Sequence, residues 1–295
     1  MAKIGFVGTG NMGRVVIQRL LAAGHEVTAY NRTREKALGV EKAGARLVDT
    51  PGEVARGADF VFVSVTNDEA SKQVWLGTGG ILAAEAPRSV RMIECSTLSH
   101  DWVLELSREV TARGYRYIDC PVAGRPDAAE KGELRIFFGG PKEDLDALRP
   151  MLETFSRKIF HFGPVGAGTG YKLIYNLLGV VQVAAVAEAM LQCEAAGIDL
   201  HAAAEGFAIG YTGSRHTIEH SARMAEGKRN QPVGFPGSGR LKDALYGVRL
   251  AQKLHRQART GEAAASVFQQ MVDIGMGGLN DSELIDALRE IAKRG

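Results

Sequence analysis

Cysteine is scarce in this chain: three residues in 295, Cys95, Cys120 and Cys193, an odd number lying far apart. They lack the paired spacing of a zinc site or a redox motif. They read instead as buried thiols that pack like small apolar groups, and no metal site is expected. An excess of charge is missing too, since 36 Lys and Arg face 34 Asp and Glu and the basic residues are dispersed. That balance gives no reason to expect nucleic acid as a partner. No apolar run is read as approaching the ~18 to 20 residues needed to cross a bilayer. Met1-Ala2-Lys3 leads into a strand pattern without the signature of a cleaved leader. The expectation is a soluble, cytoplasmic chain with no membrane partner. Against these absences stand 45% hydrophobic and 24% charged residues, enough to bury a sizeable core in two ordinary domains.

Lys3 to Val7 is a short apolar run ending at glycines, followed by helical spacing over Met12 to Ala23 with Gly24 as the stop. A strand over Glu26 to Tyr30, a helix from Thr33 to Gly44 and a strand over Ala45 to Val48 continue the alternation. Phe60 to Val65 is β-branched and aromatic at every position but Ser64, as a parallel strand covered on both faces requires, and Arg91 to Cys95 and Tyr115 to Cys120 are further candidates. Strands alternating with helices to about residue 160 predict a doubly wound parallel sheet of the Rossmann type, with ligands beyond its carboxyl ends. After that the pattern changes. Gly170 to Ala196 reads as one long, largely buried interdomain helix broken at Gly197, and Leu241 to Ala258, Ala263 to Ile274 and Ser282 to Lys293 have helical periodicity. Asn230 to Gly239 reads as a loop. The expected organisation is an α/β domain over 1–164 and an all-α domain for substrate and dimerisation over 165–295.

Gly8-Thr9-Gly10-Asn11-Met12-Gly13 fits the dinucleotide fingerprint and falls between the first strand and the first helix, where its physics requires it. The first glycine permits the turn, the second lets a pyrophosphate approach the backbone, and the third lets helix and strand pack closely. The helix N-terminus attracts the phosphate charge. An NAD site commonly carries Asp or Glu at the end of the second strand to bind the ribose hydroxyls. Here that strand runs into Asn31-Arg32-Thr33 without a carboxylate. Arg32 can pair with a 2′-phosphate and Thr33 can donate to it, so NADP is the expected cofactor, with NAD possible. The alternative is an exposed arginine that merely ends a strand.

Further segments occur in an order that resembles one family along nearly the whole chain, the β-hydroxyacid dehydrogenases, which include 3-hydroxyisobutyrate dehydrogenase and glyoxylate or succinic semialdehyde reductases. They are Gly8 to Gly13 with Asn31-Arg32-Thr33, Glu94-Cys95-Ser96-Thr97, Asp119-Cys120-Pro121-Val122-Ala123-Gly124, Gly166-Ala167-Gly168 leading to Lys172 and Asn176, and Lys242-Asp243. The resemblance implies an NAD(P)-dependent enzyme acting on CH–OH groups. It implies Lys172 as proton donor or acceptor and Asn176, four residues on and on the same helix face, as the residue that orients substrate. In carbonyl reduction an ammonium with an ordinary lysine pKa near ~10.4 can protonate the developing alkoxide at neutral pH. Thr97 is implied to contact the nicotinamide, Val65 and Thr66 to form a cofactor-contacting turn, and Lys242 to reach the cofactor from the helical domain. The plainer alternatives are that Ser96 and Thr97 are helix caps and that Lys242 is a surface lysine.

The chain departs from the family's pattern where substrate should bind. The family's Asp-Ala-Pro-Val-Ser-Gly-Gly is here Asp119-Cys120-Pro121-Val122-Ala123-Gly124-Arg125, which loses a hydroxyl and gains a guanidinium. Backbone N–H groups around Ala123 and Gly124 can still hold a carboxylate. Arg125 either supplies a charge-assisted bond in place of the lost one or points to solvent. Likewise the family's Asn-Asn is Tyr175-Asn176, where Tyr175 either packs or narrows the pocket. Two other readings remain open: an imine reductase of the same two-domain plan, which generally places Asp or Tyr where Lys172 stands, and a non-catalytic dinucleotide-binding module. The small-molecule substrate is expected to bind a homodimer or larger assembly, because the long helix is apolar around most of its circumference.

Overall fold

The computed structural model describes residues 1–227 and 233–294. The chain packs as two compact units, Met1–Lys172 and Leu173–Gly295.

The first unit is a layered α/β structure. Its strands are β1 (Lys3–Val7), β2 (Glu26–Tyr30), β3 (Arg46–Leu47), β4 (Phe60–Val63), β5 (Arg91–Glu94), β6 (Arg116–Asp119), β7 (Val122–Ala123), β8 (Leu134–Gly139) and β9 (Ser156–Gly163). Its helices are α1 (Asn11–Ala22), α2 (Leu38–Lys42), α3 (Asp68–Leu76), α4 (His100–Ala112), α5 (Pro126–Glu130) and α6 (Lys142–Leu152). Among the described residues the strand order is β3-β2-β1-β4-β5-β6-β8-β7, with β9 paired to β8. From β3 to β6 every pairing is parallel. Successive side chains of a strand leave on opposite faces, and here both faces are covered. Ile4, Phe6, Phe62, Ile93 and Ile118 join one core. Val7, Val61, Val63, Met92 and Tyr117 join the other, together with Trp75 and Trp102. Burial on both faces is why β4 reads as an unbroken apolar run.

The parallel pattern ends at β6. Strand β8 runs antiparallel to β6 and to the two-residue β7, and β9 lies parallel to β8. These three strands were not legible in the sequence. β7 is too short to show a period, and most of β9 is solvent-facing. Several expected elements are shorter than read: β3 keeps two residues and β4 ends at Val63. The helix expected from Thr33 opens as a tight 3-10 turn over Arg34–Ala37 before α2.

One helix, α7 (Ala167–Ala195), is 29 residues long. It corrects the expectation that no apolar run has membrane-spanning length, since by length and composition alone α7 does, with half of its most apolar stretch buried inside the chain. Tyr175, Asn176, Gln182 and Glu188 interrupt the run in sequence and hide it. The second unit continues with α8 (Leu200–Ile209), α9 (Arg215–Glu226), α10 (Gly237–Lys253), α11 (Arg259–Asp273) and α12 (Leu284–Ala292), around a core that includes Val183, Met190, Ala244, Phe268 and Leu284. Helix α10 begins four residues before the expected Leu241, so Gly237 to Gly239 are helical rather than loop. Part of that expected loop, 230–232, lies outside the described residues. Of the three thiols expected to be buried, Cys120 is, whereas Cys95 and Cys193 are only half-buried.

Candidate functional site

In the first unit the carboxyl ends of β1, β2, β4, β5 and β6 bring the sequence motifs to one edge of the sheet. Gly8 has φ +99°, and a Cβ there would lie 2.0 Å from the carbonyl oxygen of Ser64. A Cβ on Gly13 would lie 2.0 Å from the carbonyl oxygen of Gly8. The fold itself therefore demands these two glycines. Gly10 differs, because a Cβ there would meet nothing within 4 Å. The space in front of Gly10 is left open at the start of α1, a helix with no acidic residue in its first turn and no side-chain cap. Unclaimed N–H groups, the positive end of the helix dipole and open room suit a pyrophosphate, so the residues present fit a dinucleotide.

Asn31 positions this loop by its side chain: Oδ1 accepts from the Thr9 N–H at 2.9 Å and Nδ2 donates to the Thr33 carbonyl at 2.8 Å. The Thr9 hydroxyl is buried and donates to the Lys36 carbonyl at 3.2 Å, so both donors of Thr9 serve to hold the loop. Asn11 is exposed and Met12 half-buried at the first turn of α1. Arg32 and Thr33 are exposed. The neighbouring Arg34 is committed to Asp49 at 2.8 Å.

The loops after β4 and β5 are tied together beneath the surface. The Ser96 hydroxyl accepts from the Val65 N–H at 2.7 Å. Asp68 accepts from the Ser99 N–H at 2.8 Å and from its hydroxyl at 2.5 Å. Ser99 is the N-cap of α4, accepting from the Trp102 N–H. Capping thus falls to Ser99, not to Ser96 or Thr97. Glu94, fully buried, accepts from Ser71, Trp75 Nε1 and the Ser96 N–H. Burial pushes its pKa above the usual carboxylate range. The result is a rigid shelf on which Val65, Thr66 and Thr97 stand, with Thr66 exposed and the other two half-buried.

At the end of β6, Asp119 is fully buried. Its two oxygens accept from the Gly166 and Thr169 N–H groups, each at 2.6 Å, and so close the N-terminus of α7. Desolvation raises its pKa to about 6, against the lowering pull of those bonds. Gly168 lets the helix come this close, since a Cβ there would sit 2.3 Å from the Phe137 carbonyl oxygen on β8. Lys172 follows one turn later and is buried. The loop after Asp119 turns through Gly124, at φ +138°, where a Cβ would strike Leu134 at 2.6 Å. Ala123 lies in β7 beside Arg135, and Arg125 is the N-cap residue of α5.

In the second unit, Asn176 Nδ2 donates to Asp243 Oδ2 at 2.6 Å, and Lys242 Nζ lies 2.9 Å from Asp243 Oδ1. The Lys242 ammonium also sits 5.0 Å from the centre of the Tyr246 ring. Lys242 is thus a held residue and not a loose surface lysine. Asp243 sets the orientation of both neighbours, a role that the sequence reading did not assign. Asp119 likewise stood only as part of a motif, and Ser96 was expected at the nicotinamide edge or as a helix cap rather than as the acceptor for the Val65 N–H. What could have marked the two carboxylates is their placement at motif positions that the fold buries.

A parallel sheet with this glycine turn, and an anion-ready helix end at its switch point, defines a dinucleotide-binding protein. Residues 3–163 match the family model of the NAD binding domain of 6-phosphogluconate dehydrogenase, and residues 166–288 match that of the NAD-binding of NADP-dependent 3-hydroxyisobutyrate dehydrogenase. An uncharacterized oxidoreductase of Bacillus subtilis is 33% identical, covering 97% of this chain and 100% of that one. A glyoxylate/succinic semialdehyde reductase of Arabidopsis thaliana is 25% identical over 97% of this chain and 98% of its own length. The Mycobacterium tuberculosis 3-hydroxyisobutyrate dehydrogenase solved with L-serine superposes with a TM-score of 0.87 at 26% identity, covering 98% of this chain and 99% of that one. The chain belongs to the β-hydroxyacid dehydrogenase family, as an NAD(P)-dependent dehydrogenase acting on CH–OH groups.

Proposed function

We propose that this enzyme interconverts a short β-hydroxy acid, or a primary alcohol, and its semialdehyde or aldehyde, uses NADP in preference to NAD, and employs Lys172 as general acid and base. The observation that carries the reading is the buried position of Lys172, one turn past a helix start fixed to the carboxyl edge of the sheet by Asp119. The nicotinamide, when bound, supplies the hydride in reduction and takes it up in oxidation. Lys172 donates a proton to the developing alkoxide oxygen in the first direction and removes the hydroxyl proton in the second. Asn176, held at one end by Asp243, presents its amide to the substrate oxygen. Backbone N–H groups of Ala123 and Gly124 hold the substrate carboxylate, and Arg125 adds charge at the rim of that loop.

The preference for NADP rests on the exposed Arg32 and Thr33 at the end of β2, with no carboxylate between Tyr30 and Arg34. Lys242 is assigned to the cofactor in this reading. A homodimer or larger assembly is supported by Ile174 and Leu178, which leave α7 with 56% and 59% of their surface exposed, and the cytoplasm is the proposed compartment.

The test is steady-state oxidation of NADPH and of NADH with glyoxylate, succinic semialdehyde and the cyclic imine 1-pyrroline, for the wild type, Lys172→Ala and Arg32→Ala. Aldehyde turnover should fall ~100-fold or more in Lys172→Ala. Arg32→Ala should lose about 10-fold in kcat/KM for NADPH while keeping that for NADH. Full activity without Lys172, or imine turnover exceeding that of both aldehydes, would overturn the reading.

A further inference from the structure

Asp119 is a costly residue for its position. It is fully buried, and its partners are the Gly166 and Thr169 backbone N–H groups and the Thr169 hydroxyl rather than a side-chain cation. The neighbouring strand β5 places Glu94 in register with it, another buried carboxylate. On β6 its titratable neighbour is Tyr117, Cys120 follows the strand, and beyond Glu94 comes Cys95. Strand β8 presents Gly139, whose missing side chain makes the room, since a Cβ there would lie 2.3 Å from Asp119 Oδ1. From α4, His100 packs against Gly166, with Nε2 3.2 Å from where a Cβ on that glycine would be. Helix α7 brings Thr169 and, one turn on, Lys172.

An asparagine would fill the same volume without the burden of a buried charge. It could accept only one of the two N–H groups, and its own amide N–H₂ would face the other. A carboxylate accepts both. It also places negative charge at the positive end of α7, within about a turn of the lysine. The helix start it fixes is the one that Gly168 brings against β8.

We infer that ionised Asp119 is a positioning residue for proton transfer: by clamping the Gly166 and Thr169 N–H groups it fixes where Lys172 stands and keeps that lysine's surroundings favourable to its cationic form. This rests on the reading of Lys172 as the proton-transferring group. Protonation of Asp119 removes one acceptor and the charge, so reductive kcat falls as the pH drops through about 6, where burial has moved this carboxyl. KM for NADPH stays nearly constant, because the glycine turn after β1 does not depend on the clamp.

The experiment compares wild type, Asp119→Asn, Asp119→Glu and Lys172→Ala in succinic semialdehyde reduction from pH 5 to 10, alongside NADPH binding by fluorescence and thermal melting. In Asp119→Asn, kcat should fall about 10-fold or more, the acid limb near pH 6 should vanish, and the alkaline limb should move to lower pH. NADPH affinity should hold within about 2-fold. Asp119→Glu should recover part of the rate with an acid limb restored, since charge and both acceptors return. Wild-type kcat with an unchanged acid limb in Asp119→Asn overturns the inference. So does a rate loss matched by equal losses of NADPH affinity and melting temperature, the mark of a merely structural residue. If Lys172→Ala itself keeps its rate, it is the reading of Lys172 that fails; if Lys172→Ala is inactive and Asp119→Asn is not, only the role of Asp119 is lost.

Discussion

The two units hold their chemistry-bearing residues by different means. In the first, the backbone does most of it. Glycines admit close approach, helix N-termini are closed by or left open to anions, and the buried carboxylates Asp68, Glu94 and Asp119 all accept from main-chain N–H groups. In the second, side chains hold side chains. Asp243 takes Asn176 and Lys242, and Asp281 takes Arg240 at 2.8 Å and His220 at 3.2 Å. A backbone-built site tolerates few changes of glycine and many of surface residue. A site built from paired charges is the reverse, because removing one partner leaves the other buried without compensation.

The largest effect is expected within the glycine turn, and it separates the fold's own need from the ligand's. Gly8→Ala forces a positive-φ backbone and a collision with Ser64, at a cost of roughly 4 kcal/mol that melting should register. Gly10→Ala, at an ordinary φ of −65° with open space before it, should leave stability unchanged or raise it by about 0.5 kcal/mol. Its NADPH Kd should rise about 10-fold or more, because the methyl occupies the pyrophosphate's approach. Wild-type NADPH affinity in Gly10→Ala would show that this space serves no ligand.

A smaller loss is expected from the other mode of support. Asp243→Ala leaves Asn176 and Lys242 without their shared acceptor, which should cost ~2 kcal/mol in chemical denaturation and raise KM for aldehyde more than it lowers kcat. Asp243→Asn should recover part of the stability, since an amide oxygen can still accept from Asn176. Equal stability of Asp243→Ala and the wild type would mean that these contacts hold nothing.

The same contrast explains what the sequence could reveal. Gly8 and Gly13 were legible because a turn and a helix packed on a strand each exclude a side chain, and the motif lies between β1 and α1. Helix α7 was legible from the apolar residues around it, whereas Lys172 and Asn176 were singled out by the family resemblance, since a four-residue spacing on a helix face is by itself common. The role of Asp119 was not, because one carboxylate at a strand end looks the same whether it faces solvent or caps a helix 47 residues further on. The cluster of His216, His220, Arg240 and Asp281 left no local pattern either, since its members come from two helices and the 3-10 turn before α12. Strand β8 was missed too, since its antiparallel partners are the last residue of β6 and the short β7, whose two residues carry no period.

The smallest expected effect is on stability as a function of pH, and it should have opposite signs in the two units. His216 in the second unit has a pKa lowered to about 4, first by burial and then by the charge of Arg240. Between pH 6.5 and 4 the unfolded chain therefore binds more protons than the native one, and acidification through that window destabilises this unit, by about 1 to 2 kcal/mol given the partial exposure of the ring. In the first unit, Asp119 has its pKa raised to about 6 by burial, and Glu94 is raised in the same direction. Here the native chain binds the extra protons, so acidification from pH 6 towards 4 relieves buried charge and favours the fold. The two responses can be read apart, because the chain's two tryptophans, Trp75 and Trp102, both lie in the first unit, while far-UV dichroism sums the helices of both units, so that its departure from the fluorescence midpoint reports the second. Urea titrations at pH 7 and pH 5 should show the far-UV dichroism midpoint falling while the tryptophan fluorescence midpoint holds or rises. His216→Gln should remove the fall and Asp119→Asn the rise. Midpoints that drop together, in the wild type and in both variants, would mean that neither buried group governs the acid response and that the two units unfold as one.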